Sequence, residues 1–349
     1  SEIEPSGDRS SPRSIALINP LADFGIDTYT HELAVGLAAN GHLVDVYTAD
    51  ASRICVGDLP GNYRRFAVLG SRLPAVLRSS SQARGRSDAE AVSASQKPKS
   101  GVFTFAPWAR KAFLTAELAL HLKRSRYDFV WTQWPYLGSY PGFWTAAALL
   151  KVPVVHTVHN IFPHERTHGD AQMCARAYHA ARLLFVHSSS VRDELGLLFP
   201  PCAAKAVTMA HGAYTLYQRC PEARARVRAR LDIPRGAVVL FLPGVQRYKN
   251  APACIEAVAS IGRADVILVI AGRDPGAPEG DPLRETRERV RAAGIESQVR
   301  MIPGYLDEVA MSELLEAGDV LMLPYAKSYG SGLLMLGITF GKYVVATRP

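Results

Sequence analysis

The chain has 349 residues, of which 48% are hydrophobic and 21% are charged, and its formal net charge is +8 at pH 7. This composition is typical of a globular protein with two domains, and it excludes a collagen, a disulfide scaffold and a wholly disordered chain. The five cysteines are widely spaced, which predicts reduced thiols, a cytoplasmic protein and no metal site. No apolar run reaches the roughly 20 residues of a transmembrane helix, and the polar residues 1–13 predict a flexible tail rather than a signal peptide.

The first half of the chain alternates short apolar strands with helical segments. A strand at Ser14–Asn19, a helix capped by Asp27 and a strand over 43–48 form a βαβ unit, which predicts a parallel sheet. A long loop over 79–101 and an amphipathic helix over 105–122 follow. Further strands are predicted at 128–132, 154–158, 183–187 and 206–209.

The second half repeats this alternation after a charged, proline-bounded linker. We expect the linker over 219–234, between a first domain of 14–218 and a second of 235–349. Strands are predicted at 238–242, 266–271, 299–302, 320–323 and 343–346, and helices at 251–261, 281–293, 307–317 and 332–340. Two successive doubly wound α/β domains predict a ligand outside the carboxyl ends of the strands.

Positive charge is concentrated in one zone of the sequence. From Arg64 to Arg126 there are thirteen Lys and Arg residues against three acids. Such a zone favours an anionic partner, which is a nucleic acid, an anionic lipid or a phosphorylated substrate. A solvated surface with a flexible loop is the alternative.

Two strand ends in the first domain carry candidate ligand contacts. The loop over 19–27 leads into a helix N-terminus, where N–H groups bind phosphate and Gly25 permits close approach; a plain βα turn is the alternative. The segment VVHTVHNIFPHE places histidines at another strand end. His159 is a candidate sugar contact or proton carrier, and His164 with Glu165 could orient an acceptor or supply a base. Structural packing and a metal site are the alternatives.

Two βα turns in the second domain are candidate diphosphate sites. Arg247 and Lys249 follow the strand VVLFLP, at the point where a guanidinium and an ammonium would meet phosphate oxygens. The turn YAKSYGSGLL leads into a helix that begins at Gly332, with Ser331 as its N-cap. A cationic site and a backbone site together suit a nucleoside diphosphate leaving group. The donor-binding candidates are Gly25, Arg247, Lys249, Tyr325, Ser331, Gly332 and Leu333.

These segments together resemble the GT-B glycosyltransferases, in the family 4-like group of bacterial sugar-nucleotide enzymes. The resemblance lies in LAVGLAANGHLVDVYT, HTVHNIFPHE, GVQRYK and SGLLMLGITFGKYVVAT, and it covers residues 14–349. It implies two Rossmann-like domains facing each other across a cleft, the first on the acceptor side and the second binding the nucleotide sugar.

The resemblance also implies a reaction. It is the metal-independent transfer of a sugar from a GDP- or UDP-linked donor to an acceptor hydroxyl, without a cofactor. Arg247 and Lys249 are expected on the donor diphosphate and His159 beside the donor sugar. His159 and Glu165 are the two catalytic candidates, and Glu165 is expected to activate or orient the acceptor hydroxyl.

Two departures from the group's pattern stand out. Its Glu-x7-Glu signature falls at Tyr329 and Gly337, so both carboxylates are missing and the donor and the stereochemical outcome stay open. The chain also stops just after a predicted strand, where the family continues, so we expect a shortened second domain. A GT-B protein that binds nucleotide sugar without transferring it is therefore the alternative function.

By analogy the acceptor is a lipid-linked saccharide, such as a polyprenyl diphosphate sugar in exopolysaccharide or cell-envelope glycan synthesis. The basic zone then predicts peripheral docking on the anionic inner face of the cell membrane, through an amphipathic helix. Packing of its aromatic residues in the core is the alternative. The residues predicted to dock are Phe103, Phe105, Trp108, Arg110, Lys111 and Phe113.

Two other classes of protein fit the sequence less well. An NAD-dependent dehydrogenase needs a GxGxxG turn with an acid about 20 residues later. Asp45 and Asp50 lie at about that distance, but the glycines do not fit. A nucleic-acid-binding protein needs a recognition helix, a zinc finger or an aromatic RNA-binding strand, and the sequence resembles none of these. We therefore expect no nucleic-acid partner.

Overall fold

The computed structural model of the protein describes residues 11–21, 24–49, 60–69, 107–138, 140–163, 167–272, 281–326 and 329–347. The predicted loop over 79–101 lies outside these residues. The chain divides into two compact units, Ser1–Ala210 and His211–Pro349.

The first unit is built on a seven-stranded parallel sheet. Its strands are β1 Ser14–Asn19, β2 Leu43–Ala49, β3 Tyr63–Leu69, β4 Phe129–Thr132, β5 Val154–Thr157, β6 Leu183–Val186 and β7 Ala206–Thr208. They lie in the order β3-β2-β1-β4-β5-β6-β7, so the winding reverses between β1 and β4. Every residue of β1 is buried, as expected for a central strand of a parallel sheet with helices on both faces.

Helices follow the strands of this unit. In the described residues they are α1 Phe24–Ala39, α2 Pro107–Arg124, α3 Phe143–Leu149, α4 Asp170–Ala180 and α5 Ser189–Leu198. Helix α1 packs Ala34 and Ala38 against the side chains of β1 and β2. The prediction that Asp27 caps this helix is wrong, because α1 begins at Phe24 and Asp27 lies buried in its first turn.

The second unit is built on a five-stranded parallel sheet. Its strands are β8 Val238–Pro243, β9 Val266–Gly272, β10 Val299–Pro303, β11 Val320–Leu323 and β12 Tyr343–Ala346, in the order β10-β9-β8-β11-β12. Its helices in the described residues are α6 Ala223–Arg230, α7 Ala251–Ile261, α8 Pro282–Ala292, α9 Glu308–Ala317 and α10 Gly332–Thr339. The predicted class of two doubly wound α/β domains is confirmed, and most element bounds agree within one or two residues.

The segment over 219–234 contains an ordered helix. Helix α6 packs on α9, and Arg228 donates to the carbonyl oxygen of Ala317 at 2.9 Å and to that of Ala237 at 3.0 Å. The two units divide at residue 210, before this segment. These residues are therefore part of the second unit.

Among the helices of the described ranges, none combines the length and the apolar character needed to cross a bilayer.

Candidate functional site

In the second unit, the carboxyl ends of β8 and β9 come together at two glycines. Gly244 has φ of 110° and donates its N–H to the carbonyl oxygen of Ala271 at 2.7 Å. A Cβ on Gly272, whose φ is 154°, would lie 2.8 Å from the Cα of Gly244. The two backbones therefore touch, and no larger residue fits at 272 without moving one of them. This contact fixes the turn that carries Arg247 and Lys249.

Arg247 and Lys249 begin and end a short 3-10 helix after β8, and their environments differ. Arg247 is half-exposed and its Nη2 donates to Oε1 of Glu285 on α8 at 2.9 Å. Because this pair is exposed, we expect it to add little to stability and to yield readily to a stronger anion. Lys249 is 7% exposed.

The buried ammonium of Lys249 lies between two tyrosine rings. Its Nζ donates to Oη of Tyr325 at 3.0 Å, and lies 4.6 Å from the ring centre of Tyr325 and 5.2 Å from that of Tyr248. Burial lowers the pKa of Lys249, but the two tyrosines raise it by more, so that its pKa ends above the usual value. The structure thus holds a positive charge at the end of β8.

Tyr325 connects this charge to the N-terminus of α10. The Oγ of Ser331 donates to Oη of Tyr325 at 3.4 Å and accepts the N–H of Leu334 at 3.2 Å, which makes Ser331 the N-cap of the helix. Lys249, Tyr325 and Ser331 therefore lie in one chain of contacts. The ammonium and the positive end of the helix dipole are the two features that bind phosphate.

Gly332 lies against an aromatic ring that sequence reasoning missed. A Cβ on Gly332 would lie 2.3 Å from Oη of Tyr214, and Tyr214 is itself buried. The ring of Tyr214 meets His211 edge-on, with the ring centres 5.3 Å apart. A glycine at the first position of a helix, where most residues are tolerated, was the available signal for this close approach.

Gly337, at the second position of the missing carboxylate pair, faces the sheet. A Cβ there would lie 2.8 Å from Cδ2 of Leu321 and 2.9 Å from Cγ2 of Val344. Helix α10 thus lies on β11 and β12 with no room for a side chain, and a glutamate at 337 could not be accommodated without displacing them. At the first position, Tyr329 is also buried.

In the first unit, side chains that follow β4, β5 and β6 meet around His159. Its Nε2 lies 3.1 Å from Oε1 of Gln133. The ring of Tyr29 on α1 packs edge-on to His159 with 4.6 Å between centres, and the ring of His187 lies 5.4 Å away. Nδ1 of His187 contacts the carbonyl oxygen of Met209 at 3.1 Å. The carboxyl edge of the sheet therefore carries a packed polar cluster.

The histidines of the segment VVHTVHNIFPHE separate into different environments. His156 is fully buried, with Nδ1 at 2.8 Å from Oγ1 of Thr132 and its ring between Trp144 and Tyr178. Burial lowers the pKa of His156 to about 3, so it is a neutral core residue. His164 and Glu165 lie outside the described residues.

The loop over 19–27 is tied to a network that the sequence did not indicate. Asp27 accepts a hydrogen bond from Nδ2 of Asn19 at 3.1 Å, and it forms an ion pair with Nη2 of Arg65 at 2.5 Å. Arg65 also donates to Oη of Tyr63 at 3.4 Å, and that hydroxyl lies 3.1 Å from Nδ1 of His31. Burial, with the charge of Arg65, lowers the pKa of His31 to about 4.

Gly25, the candidate in this loop, is exposed in the first turn of α1, and a Cβ there would meet nothing within 4 Å. Its role as a donor contact stays a prediction. Within the described ranges, no group of three His, Cys, Asp or Glu side chains is placed to hold a metal ion.

A family model described as "Glycosyltransferase Family 4" matches residues 25–213, which is more than half of the chain. The chain belongs to Glycosyltransferase Family 4. The predicted family is confirmed, and the match covers β2 to β7, including the cluster around His159.

Two curated proteins illustrate the relatives of this family 4 chain. The chain is 24% identical over 236 residues to GDP-mannose:glycolipid 4-beta-D-mannosyltransferase of Xanthomonas campestris pv. campestris, and the alignment covers 64% of this chain and 62% of that protein. It is 29% identical over 215 residues to D-inositol 3-phosphate glycosyltransferase of Saccharomonospora viridis, where the alignment covers 54% of this chain and 47% of that protein. The chain thus spans about half to three fifths of the relatives that it matches.

Solved structures show the same fold. The structure of Anabaena Alr3699/HepE in complex with UDP and glucose superposes on 96% of this chain and 80% of its own chain, with a TM-score of 0.65 and 15% sequence identity. The structure of sucrose-phosphate synthase from Thermosynechococcus elongatus superposes on 96% of this chain and 81% of its own chain, with a TM-score of 0.65 and 17% sequence identity. These matches confirm the predicted GT-B class of fold.

Proposed function

We propose that this family 4 chain transfers a sugar from a nucleoside-diphosphate sugar to an acceptor hydroxyl. The observation that carries the proposal is the chain of contacts from Lys249 through Tyr325 to Ser331, at the carboxyl edge of the second sheet. A buried ammonium and a helix N-terminus that lie this close suit a diphosphate. Membership of Glycosyltransferase Family 4 supports the same function.

In the proposed mechanism, the diphosphate of the donor binds along the line from Lys249 to the N-terminus of α10. Its oxygens would take over the hydrogen bond that Tyr325 now accepts, and Arg247 would exchange Glu285 for a phosphate oxygen. Negative charge builds on this diphosphate as the glycosidic bond breaks. Lys249 and the helix dipole are held in place by the fold, and Arg247 joins them when the donor binds, so all three can stabilise the leaving group before the bond breaks.

The other candidate residues have proposed roles in the same reaction. Gly332 and Leu333 offer N–H groups in the first turn of α10. His159 contacts the donor sugar, Gly25 in the first turn of α1 permits close approach of the donor, and Glu165 orients or activates the acceptor hydroxyl. For the donor we propose a GDP- or UDP-linked sugar. The Xanthomonas relative is named for GDP-mannose, and the Anabaena structure contains UDP.

Thermal unfolding with GDP, UDP, their common sugar conjugates and NAD tests the donor site. A ligand at a hundred times its dissociation constant adds about 2.7 kcal/mol to the free energy of unfolding. We expect this shift with one nucleoside diphosphate, and about tenfold weaker binding for Arg247→Gln. The control is Arg263→Gln, which removes an exposed arginine paired with Asp265 just before β9, at the amino end of the strand. A shift with NAD alone, or equal binding by Arg247→Gln, would contradict the proposal.

We propose a lipid-linked saccharide as the acceptor and an anionic membrane surface as the place of reaction, on the cytoplasmic side. Three apolar residues of α2 are exposed: Trp108, Phe113 and Leu120. A groove of about 310 Å³ runs from Trp108 to Pro141, which precedes α3, and to Ala146, which lies in α3. Four cations lie on the same helix: Arg110, Lys111, Lys123 and Arg124.

An apolar surface with basic neighbours fits the interface of an anionic leaflet, where each Lys or Arg near the surface contributes about 1 kcal/mol to the free energy of membrane binding. The other predicted docking residues, Phe103 and Phe105, lie outside the described residues. The name of the Xanthomonas relative, which specifies a glycolipid, supports this choice of acceptor.

Sedimentation with vesicles of phosphatidylcholine, with and without phosphatidylglycerol, tests the membrane proposal. We expect binding only to the anionic vesicles, and at least about tenfold weaker binding for Trp108→Ser with Phe113→Ser. The matched control is Leu197→Ser, which removes an 81% exposed leucine from α5. Equal binding to both kinds of vesicle, or equal loss in the control, would contradict docking by α2.

A GT-B protein that binds the donor without transfer is the second candidate. It is favoured by Tyr329 and Gly337, which replace the group's two carboxylates. Nucleotide binding without turnover of any donor, in transfer or in donor hydrolysis, would decide for it.

A further inference from the structure

Gln133, the residue after β4, is fully buried, and the burial of its amide group is unfavourable for stability. Its side chain is 0% exposed and its Oε1 contacts Nε2 of His159. Its amide nitrogen is buried without a hydrogen-bond partner among the residues that the structure describes. Such an unmatched group costs about 1–3 kcal/mol, and an apolar side chain of the same shape would avoid that cost. The contact with His159 is therefore the feature that the glutamine provides.

We propose that Gln133 is a positioning residue for His159, whose carbonyl oxygen fixes the imidazole in the tautomer with hydrogen on Nε2. The inference rests on the proposed function, in which His159 meets the donor sugar. An amide oxygen only accepts hydrogen bonds, so the partner nitrogen must carry the proton. Nδ1 then holds the lone pair, and a sugar hydroxyl bound at Nδ1 has to act as the donor.

Two aromatic rings pack on His159 beside its contact with Gln133. The ring lies edge-on against Tyr29 at an interplanar angle of 89°, and His187 packs beside it. Tyr29 and His187 are both titratable groups that pack on the ring. Burial raises the pKa of Tyr29 far above its usual value, so its hydroxyl stays neutral. Aromatic packing fixes where the ring lies, and Gln133 distinguishes its two nitrogens.

Nitrogen-15 NMR of the histidine rings in the full chain tests the tautomer directly. Long-range proton–nitrogen correlations distinguish the two tautomers of a neutral imidazole, and His159→Gln identifies the signals by their loss. We expect the form with hydrogen on Nε2 in the wild type, and a mixture of both forms in Gln133→Leu. Gln133→Glu should keep the wild-type tautomer and raise the pKa of His159 by about one unit or more, because a carboxylate would face it.

The control removes a similar contact from a neighbouring histidine. Thr132→Val deletes the hydroxyl that contacts Nδ1 of His156, and should leave the His159 signals unchanged. The form with hydrogen on Nδ1 in the wild type, or an unchanged tautomer in Gln133→Leu, would overturn the proposal. This readout needs no substrate, so failure of the proposed function would show separately as an absence of nucleotide binding.

Turnover provides the second readout. With the donor found by thermal unfolding, Gln133→Leu should lower kcat by about tenfold or more while nucleotide affinity stays within about twofold. Gln133→Glu should restore part of kcat and move the pH profile to higher pH. A lost tautomer preference with unchanged kcat would overturn the positioning role.

Discussion

The two units share one architecture but differ in the groups that respond to acid. In the first unit, buried histidines lie among hydrogen-bonded side chains beside ion pairs such as that of Arg65 with Asp27, and Nδ1 of His156 lies 2.8 Å from Oγ1 of Thr132. In the second unit, Arg226 and Arg230 of α6 pair with Glu313 of α9, and Arg224 and Arg228 pair with Asp319, just before β11.

Because of this difference, we expect the stability of the two units to respond differently to acid. A buried neutral histidine binds fewer protons when folded than when unfolded, so its contribution is present above pH 6.5 and is lost as the pH falls. A paired carboxylate with a lowered pKa keeps its contribution to lower pH, and loses it only as the pH falls through the folded pKa. The first unit should therefore weaken in mildly acidic solution, whereas the second should hold.

The largest effect expected is the acid sensitivity of the first unit. The pKa of His31 is about 4 and that of His156 about 3, so each should remove about 2 kcal/mol of stability between pH 7 and pH 5. All four tryptophans, at positions 108, 131, 134 and 144, belong to this unit. Denaturant unfolding followed by tryptophan fluorescence therefore reports it selectively. His31→Gln with His156→Gln should flatten the pH dependence of stability, and an equally steep dependence in this variant would show that the two histidines do not cause it.

The next largest effect is expected at the glycine contact of the second unit. Gly272→Ala places a Cβ against the Cα of Gly244, at a φ that alanine rarely adopts. We expect a loss of about 3 kcal/mol and of nucleotide binding, measured by circular dichroism and thermal shift. Gly61→Ala is the control, since Gly61 is exposed and a Cβ there meets nothing within 4 Å. If Gly272→Ala bound nucleotide normally, the turn would not need this contact.

The elements with a clear period were predictable from sequence, and those with buried charge were not. Strands such as β11 Val320–Leu323 are apolar runs, and their bounds agreed with prediction. Strand β3 was missed because Arg64 and Arg65 interrupt YRRFAVL, and a single sequence does not reveal that Asp45 and Asp27 pair with them. The pairing partners lie 19 and 38 residues away.

The candidate residues in the βα turns of the second unit could be predicted from sequence, because the strands before these turns could be predicted. Lys249 and Ser331 follow predicted strands, and parallel topology brings such ends together. Tyr214 and Gln133 escaped notice because a lone tyrosine or glutamine has no spacing to mark it. His156 and His159 are equivalent in sequence, yet one points into the core. Only packing separates them.

A smaller effect is expected from the ion pairs of the second unit. Asp319 accepts hydrogen bonds from Arg224, Arg228 and the N–H of Val239. Burial raises the pKa of Asp319, but these donors lower it by more. Asp319→Asn should cost about 2 kcal/mol at pH 7, and this cost should vanish in acid as the wild-type carboxylate protonates.

Hydrogen exchange of α6 and α9 measures that loss, because the second unit has no tryptophan. The tryptophan-monitored transition of the first unit should not move. Equal changes in both units would show that the two do not unfold separately, and would contradict a separate response of each unit to acid.

The smallest effect contrasts one helical glycine from each unit. Gly36 of α1 is exposed and a Cβ there meets nothing, so Gly36→Ala should gain up to about 1 kcal/mol from helix propensity. Gly337→Ala gains the same propensity but presses on Leu321 and Val344, where overpacking costs about 1–3 kcal/mol. We therefore expect a net loss of about 1 kcal/mol, measured by hydrogen exchange of α10. A gain at both positions would show that α10 has room to move off the sheet, and that a carboxylate at 337 is compatible with this fold.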